Sequence, residues 1–322
     1  MLSESVIMFM LGIAFVLSLV LVVKWDFKQH TAAQYNAERY AWLVTTIIVF
    51  ATFMKFILLP YFIFSIDYLS GVVPGAMCSA GVISFNDYGM PLLYIKLLSL
   101  FLLSFWLALN YEDLQEGNYP WFKAKLWTFI AIYFLLCVEI WYQYRFFEAI
   151  DIHKVINCCS TLYGLFEGMN PLPFGLDITK LLSLYFLLYV LILSSYKAQN
   201  NIILTIALIL FAEISYYAII YFFGPYIYKQ PNHNCPFCML GREYYYMGYV
   251  IWGVLGGGLF SGFSAVLIEF LLKKPKPKLK KIMAILLSIF LLICVSYVAL
   301  YYIDNGVFLQ KDQVDEMQGM IM

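Results

Sequence analysis

The sequence predicts an all-α integral membrane protein of about eight transmembrane helices, and three observations carry that prediction. Hydrophobic residues make up 63% of the 322 residues and charged residues only 12%, against a soluble balance of about half apolar and about a quarter charged. The apolar residues fall into eight runs, each long enough to cross a hydrocarbon core about 30 Å thick. Basic residues gather in alternate connecting segments, the pattern that the positive-inside rule gives a multi-pass chain. The formal net charge of zero hides this alternation, and nothing in it points to nucleic acid. The expected partner is the lipid bilayer.

Taken in order, the runs cover 4–24, 41–66, 90–110, 124–145, 177–196, 200–223, 246–272 and 281–303. The first, apolar from Val6 to Val23, resembles a signal sequence but lacks a basic leader and a small-residue cleavage site, so it reads as a retained helix. Lys24, Lys28 and Arg39 follow the first run, Lys123 and Lys125 the third, Lys197 the fifth, and the Pro-Lys alternation of 273–281 the seventh. These loops are expected on the cytoplasmic face. Segments 67–89, 146–176 and 224–245 then fall outside with both termini, which in a bacterial inner membrane is the periplasm. In the seventh run, Gly256-Gly257-Gly258 with Gly253 and Gly262 supplies a smooth face for close helix packing. It lacks the Lys-Ser/Thr of a phosphate loop.

The cysteines sort by this topology. Cys78 lies in the first outer loop, Cys158 and Cys159 in the second, Cys235 and Cys238 in the third; Cys137 and Cys294 lie within helices, where a lone cysteine behaves as a small hydrophobe. Five of the seven therefore face the side where disulfides persist. A weak internal repeat accompanies them. Lys96-Leu97-Leu98-Ser99-Leu100 recurs as Lys180-Leu181-Leu182-Ser183-Leu184, an offset that also aligns Lys55 with Glu139, and Glu139-Ile140-Trp141-Tyr142 resembles Glu213-Ile214-Ser215-Tyr216. The expected organisation is a single polytopic domain over 1–322. It is built from helix-loop-helix units at about 41–110, 124–196 and 200–272, with flanking helices 4–24 and 281–303, and repeats of this kind place functional centres at their interfaces.

The reactive chemistry concentrates in Cys235-Pro-Phe-Cys238-Met-Leu-Gly-Arg242. Two thiols at this spacing form a redox-active dithiol, half of a metal site or a structural disulfide, and a fixed positive charge nearby favours the thiolate. Met239 stands where a haem-attachment motif requires His. Outer-side Cys78, His153, Cys158, Cys159, His233, Cys235 and Cys238 together offer soft sulfur and imidazole suited to copper or zinc. The Tyr244-Tyr245-Tyr246 run after Arg242 serves either as an interfacial anchor or as a flat aromatic wall. Within the membrane, Lys55, Glu139 and Glu213 are costly ionisable groups that face partners or cavities. They read as buried ion pairs or as a proton path, whereas Lys96 and Lys180 are expected to snorkel toward the interface.

The eight-residue motif resembles the quinone-side Cys-x-x-Cys-x-x-x-Arg of the DsbB family and, more loosely, the Cys-Pro-x-Cys of vitamin K epoxide reductase relatives. The resemblance implies a membrane thiol-disulfide oxidoreductase that passes electrons between outer-face thiols and membrane quinone. Cys238 would be the quinone-facing thiolate, Arg242 its stabiliser and Cys235 the exchanging thiol. Cys78, Cys158 and Cys159 would be shuttle or structural partners, Tyr245 and Glu213 would line the quinone site with Arg242, and a periplasmic thioredoxin-like or other thiol protein would be the partner. Both families use about four helices, and no cysteine follows Cys238 on the outer side, so any second pair must come from upstream. Two other functions remain open on the residues alone: a copper- or zinc-handling membrane protein, and a non-catalytic membrane subunit whose disulfides pin its loops.

Overall fold

The computed structural model describes residues 1–26, 31–76, 78–116, 118–150, 172, 175–231 and 233–309. All regular secondary structure among them is helical, and eight helical spans are long and apolar enough to cross a membrane. The protein is an all-α, multi-pass membrane protein. In hydrocarbon each backbone N–H and C=O must find its partner within its own segment, and the helix does this. Exposed Phe9, Val16, Phe53, Ile57, Leu187, Ile202 and Leu292 are therefore expected lipid contacts. The chain divides into two compact units, residues 1–66 with 82–154 and residues 67–81 with 155–322.

The first unit is formed by α1 (Leu2–Lys24), α2 (Ala32–Leu69, as far as Ile66), α4 (Gly89–Gln115) and α5 (Phe122–Glu148). The short helix α3 (Ser79–Ile83) precedes α4. Leu11 and Ala14 of α1, Ile48 and Ala51 of α2, Leu103 and Trp106 of α4, and Phe129 and Leu136 of α5 share one core. At 38 residues, α2 is roughly 57 Å long at 1.5 Å per residue, longer than a hydrocarbon core about 30 Å thick.

Each of these four helices contributes one charged side chain to a closed ring in the core. Lys55 Nζ lies 2.8 Å from Glu4 Oε2 and 2.7 Å from Glu139 Oε1, while Lys96 Nζ lies 2.9 Å from Glu4 Oε1 and 3.0 Å from Glu139 Oε1. Ser99 Oγ donates to the other Glu139 oxygen at 2.6 Å, and the Phe62 ring faces the Lys96 ammonium at 4.8 Å. All four side chains are buried. Two positive and two negative charges cancel, which is what lets them stay in a medium where an unpaired charge is costly. Of the two carboxylates that the sequence offers Lys55, Glu139 and Glu213, Glu139 is the one that pairs with it. Glu4 and Lys96 complete the ring, and Lys96 does not snorkel, because two carboxylates hold it inside. A second buried pair, Lys125 with Asp113 at 2.7 Å, ties the start of α5 to the end of α4, with Asn110 Oδ1 accepting from Lys125 at 2.9 Å.

The second unit contains α6 (Ile178–Ala198), α7 (Asn201–Ala218), α8 (Gly224–Tyr228), α9 (Met247–Leu272) and α10 (Pro277–Asn305). Asp177 caps α6 by accepting from Ile178 N at 2.8 Å. Gln199, left-handed at φ 54°, and Asn200, which caps α7 by accepting from Ile203 N at 3.1 Å, make the tight α6–α7 turn. Tyr185, Phe211, Ile251, Leu255, Leu287 and Phe290 pack at the centre. The expected smooth face of the seventh run is used in part: a Cβ on Gly258 would stand 2.6 Å from Leu287 Cδ2 and one on Gly262 2.7 Å from Met283 Sδ, so glycine there lets α9 and α10 approach closely, whereas a Cβ on Gly253 or Gly256 would meet nothing within 4 Å. Lys280 clamps the same hairpin, 2.7 Å from Glu269 Oε2 and 2.7 Å from Asn201 Oδ1. Lys180 and Glu213 are exposed on α6 and α7.

Candidate functional site

The chain leading to the Cys-x-x-Cys turn does not leave α7 abruptly. A π-helical turn at Ile219–Phe223 passes directly into α8, and π turns commonly re-aim side chains at functional positions. Here the helix ends on Tyr228, followed by left-handed Lys229 at φ 54°. The buried Tyr228 hydroxyl donates to the Cys235 carbonyl and accepts from Met239 N at 3.1 Å. One side chain thus holds both ends of the turn. Its ring packs edge-on against His233 at 4.4 Å and Tyr244 at 4.7 Å.

The turn also sits directly on the first residues of α9. A Cβ on Gly248 would lie 2.6 Å from Met239 Cγ and 2.9 Å from the Met239 carbonyl carbon, and no larger residue fits without moving the backbone. Cys238 opens a 3-10 turn, Cys238–Leu240, and a second, Arg242–Tyr244, leads through left-handed Tyr245 and Tyr246 into α9.

The third cysteine arrives from far away in sequence. The Asp67 carboxylate near the end of α2 accepts from Ser79 N at 3.1 Å, the way a capping carboxylate satisfies an orphan N–H at a helix start. This fixes the segment immediately after Cys78. Cys78 Sγ then lies 3.9 Å from Cys235 Sγ, and the sulfurs of Cys78, Cys235 and Cys238 all lie within 4.8 Å of one another. Cys78 and Cys235 are buried and Cys238 is partly exposed, so Cys238 is the thiol of the three with an open side.

His233 stands beside the cluster. Burial holds its imidazole below the usual histidine range, against the opposing pull of Cys78, so it is neutral at pH 7. Its Nε2 is buried with no hydrogen-bond partner among the described residues. Burial raises the Tyr244 phenol, with Cys238 and Glu243 adding to the effect, so Tyr244 stays a neutral hydroxyl near the partly open thiol. Chemically the cluster can do two things: three thiols this close can exchange a disulfide among themselves, or hold one soft ion.

Cys78, Cys235, Cys238 and His233 are therefore brought together. Arg242 lies on the exposed side of the second 3-10 turn, and Tyr245 is 89% exposed. Glu213 is exposed on α7. His153, Cys158 and Cys159 lie outside the described residues. Sequence reasoning missed Tyr228 and Asp67, since a Tyr in an aromatic-rich helix and an Asp at a helix end carry no mark of the partners they meet. Glu4 did carry a signal: an acid three residues inside an otherwise apolar helix.

Comparison of the chain with protein-family models, characterised proteins and solved structures finds no match.

Proposed function

We propose that the protein is a membrane thiol-disulfide oxidoreductase whose working centre is the Cys78–Cys235–Cys238 cluster. The observation that carries this reading is the third thiol: Cys78 Sγ stands 3.9 Å from Cys235 Sγ, the position from which a thiolate attacks a disulfide sulfur. Starting from a Cys235–Cys238 disulfide, the Cys78 thiolate attacks Cys235, the Cys78–Cys235 bond forms, the Cys235–Cys238 bond breaks, and Cys238 leaves as the thiolate. No electrons are gained or lost in that step. Net oxidation of the dithiol gives up two electrons and two protons, and a membrane quinone taking both becomes the quinol. The partly exposed Cys238, next to Tyr244, is the natural side for the quinone. In this reading the cluster faces the periplasm of a bacterial inner membrane and receives electrons from a thioredoxin-like or other thiol protein.

A second reading, a copper or zinc centre, is favoured by His233, whose imidazole feels the nearby Cys78 thiol and whose buried Nε2 has no hydrogen-bond partner among the described residues. A tetrahedral zinc with Zn–S bonds of about 2.3 Å needs sulfurs roughly 3.8 Å apart, within about 1 Å of the separations present. The two readings separate in one preparation. Thiol-alkylation mass spectrometry before and after reduction, elemental analysis, and incubation with a soluble quinone or quinol are applied to detergent-purified protein. The oxidoreductase reading expects a metal-free disulfide among Cys78, Cys235 and Cys238 that quinol reduces and quinone restores. Stoichiometric copper or zinc on reduced thiols would replace it with the metal reading, and a disulfide that neither reagent changes would refute both.

A further inference from the structure

The first unit holds a cleft that the cysteine chemistry does not use. It has a volume of about 140 Å³ and is walled by Trp25, Trp42, Tyr119 and Phe122, with the Glu38 carboxylate on its rim. That volume is on the order of a cavity that accepts a benzene ring, about 150 Å³. Trp25 directly follows α1, Glu38 lies in the first two turns of α2, and Tyr119 and Phe122 sit where α4 turns into α5. All four positions lie at the ends of spanning helices, the depth of lipid headgroups rather than of acyl chains.

Two features set this cleft apart from an ordinary interfacial aromatic belt. First, Trp25 and Phe122 are buried, 4.1 Å apart between ring centroids, so they line a concavity instead of standing in the interface as anchors. Tyr119 is brought to it by a turn that holds a non-glycine residue at φ 47°, with Tyr119 N donating to Glu116 O and Phe122 N donating to Tyr119 O. Such left-handed conformations cost free energy and collect at ligand clamps. Second, the charges are unevenly spent. Lys125 on the cleft floor is committed to Asp113 at 2.7 Å. Glu38 has no ion-pair partner among the described residues, and its Oε1 accepts only a long hydrogen bond, 3.3 Å, from Gln34. Aromatic faces around a carboxylate with charge to spare are the chemistry that recognises an organic ammonium.

We propose that this cleft binds an organic ammonium group, with the aromatic walls taking its alkyl face and Glu38 its charge. The group comes either from a lipid headgroup or from a free amine. The test uses the full-length protein in nanodiscs of pure phosphatidylglycerol, which carries no ammonium. Tetramethylammonium chloride is titrated in, and saturation transfer to its methyl protons reports binding. Saturable binding is expected, weakened at least tenfold by Glu38→Gln and by Trp42→Ala, two partly or fully exposed positions whose replacement leaves the core intact. Sodium chloride at the same ionic strength should not compete. Repeating the titration in phosphatidylcholine nanodiscs identifies the source: loss of tetramethylammonium binding there means that the lipid headgroup fills the cleft, and unchanged binding means a free amine. Absence of saturable binding in phosphatidylglycerol, or equal binding by the wild type and Glu38→Gln in proteins with the same melting temperature, would overturn the proposal.

Discussion

The charge ring of the first unit gives the sharpest stability prediction. Glu139 is 1% exposed, and its Oε1 accepts from Lys55 at 2.7 Å and Lys96 at 3.0 Å, with Ser99 on Oε2 at 2.6 Å. Replacing it by Gln keeps the shape and leaves an amide oxygen, but turns a neutral ring into one with a net positive charge shared between Glu4 and two ammoniums. Breaking a buried ion pair by removing one partner costs about 3–5 kcal/mol, because the remaining charge is left uncompensated. At about 2–4 °C per kcal/mol, the melting temperature should fall by on the order of 10 °C. A second substitution, Lys96→Gln on top of Glu139→Gln, restores neutrality by leaving only Lys55 with Glu4. The large cost of a broken pair comes from the charge left uncompensated, and the double variant leaves none, so it should recover more than half of the loss. The assay is thermal unfolding by circular dichroism in one detergent at one scan rate, since membrane proteins commonly unfold irreversibly. A Glu139→Gln melting point within about 2 °C of wild type, or a double variant no better than the single, would show that the ring carries no net stabilisation.

The cysteine site carries three further expectations. Tyr228→Phe removes the hydroxyl that serves the Cys235 carbonyl and Met239 N, leaving two buried backbone groups unpaired at about 1–3 kcal/mol each; alkylation of Cys235 should become faster, and an unchanged rate would refute the bracing role. Gly248→Ala puts a methyl 2.9 Å from the Met239 carbonyl carbon, so it should destabilise by about 1–3 kcal/mol and shift the Cys238 alkylation rate, whereas Gly253→Ala, which meets nothing within 4 Å, should do neither. Cys78→Ser should leave the Cys235–Cys238 pair able to cycle with a quinone reagent but block transfer of that disulfide to an added thiol substrate. Full transfer by this variant would remove Cys78 from the relay.

What the sequence determined by itself is the set of properties that depend on neighbours along the chain. Whether a stretch such as 281–303 spans the bilayer follows from its length and hydropathy alone, because lipid leaves a helix as the only way to satisfy its backbone. That Cys235 and Cys238 share one turn likewise follows from their two-residue spacing. The partners across the fold did not follow. Cys78 is 157 residues from Cys235 and Lys55 is 84 residues from Glu139. In an apolar helix a Lys that snorkels and a Lys held by two carboxylates have the same local sequence, as Lys180, exposed, and Lys96, buried, demonstrate. Which of them goes inside depends on whether other helices bring carboxylates to the same depth. Only the tertiary structure decided that, because the energy of a buried charge is set by what surrounds it in space and not by its neighbours in the chain.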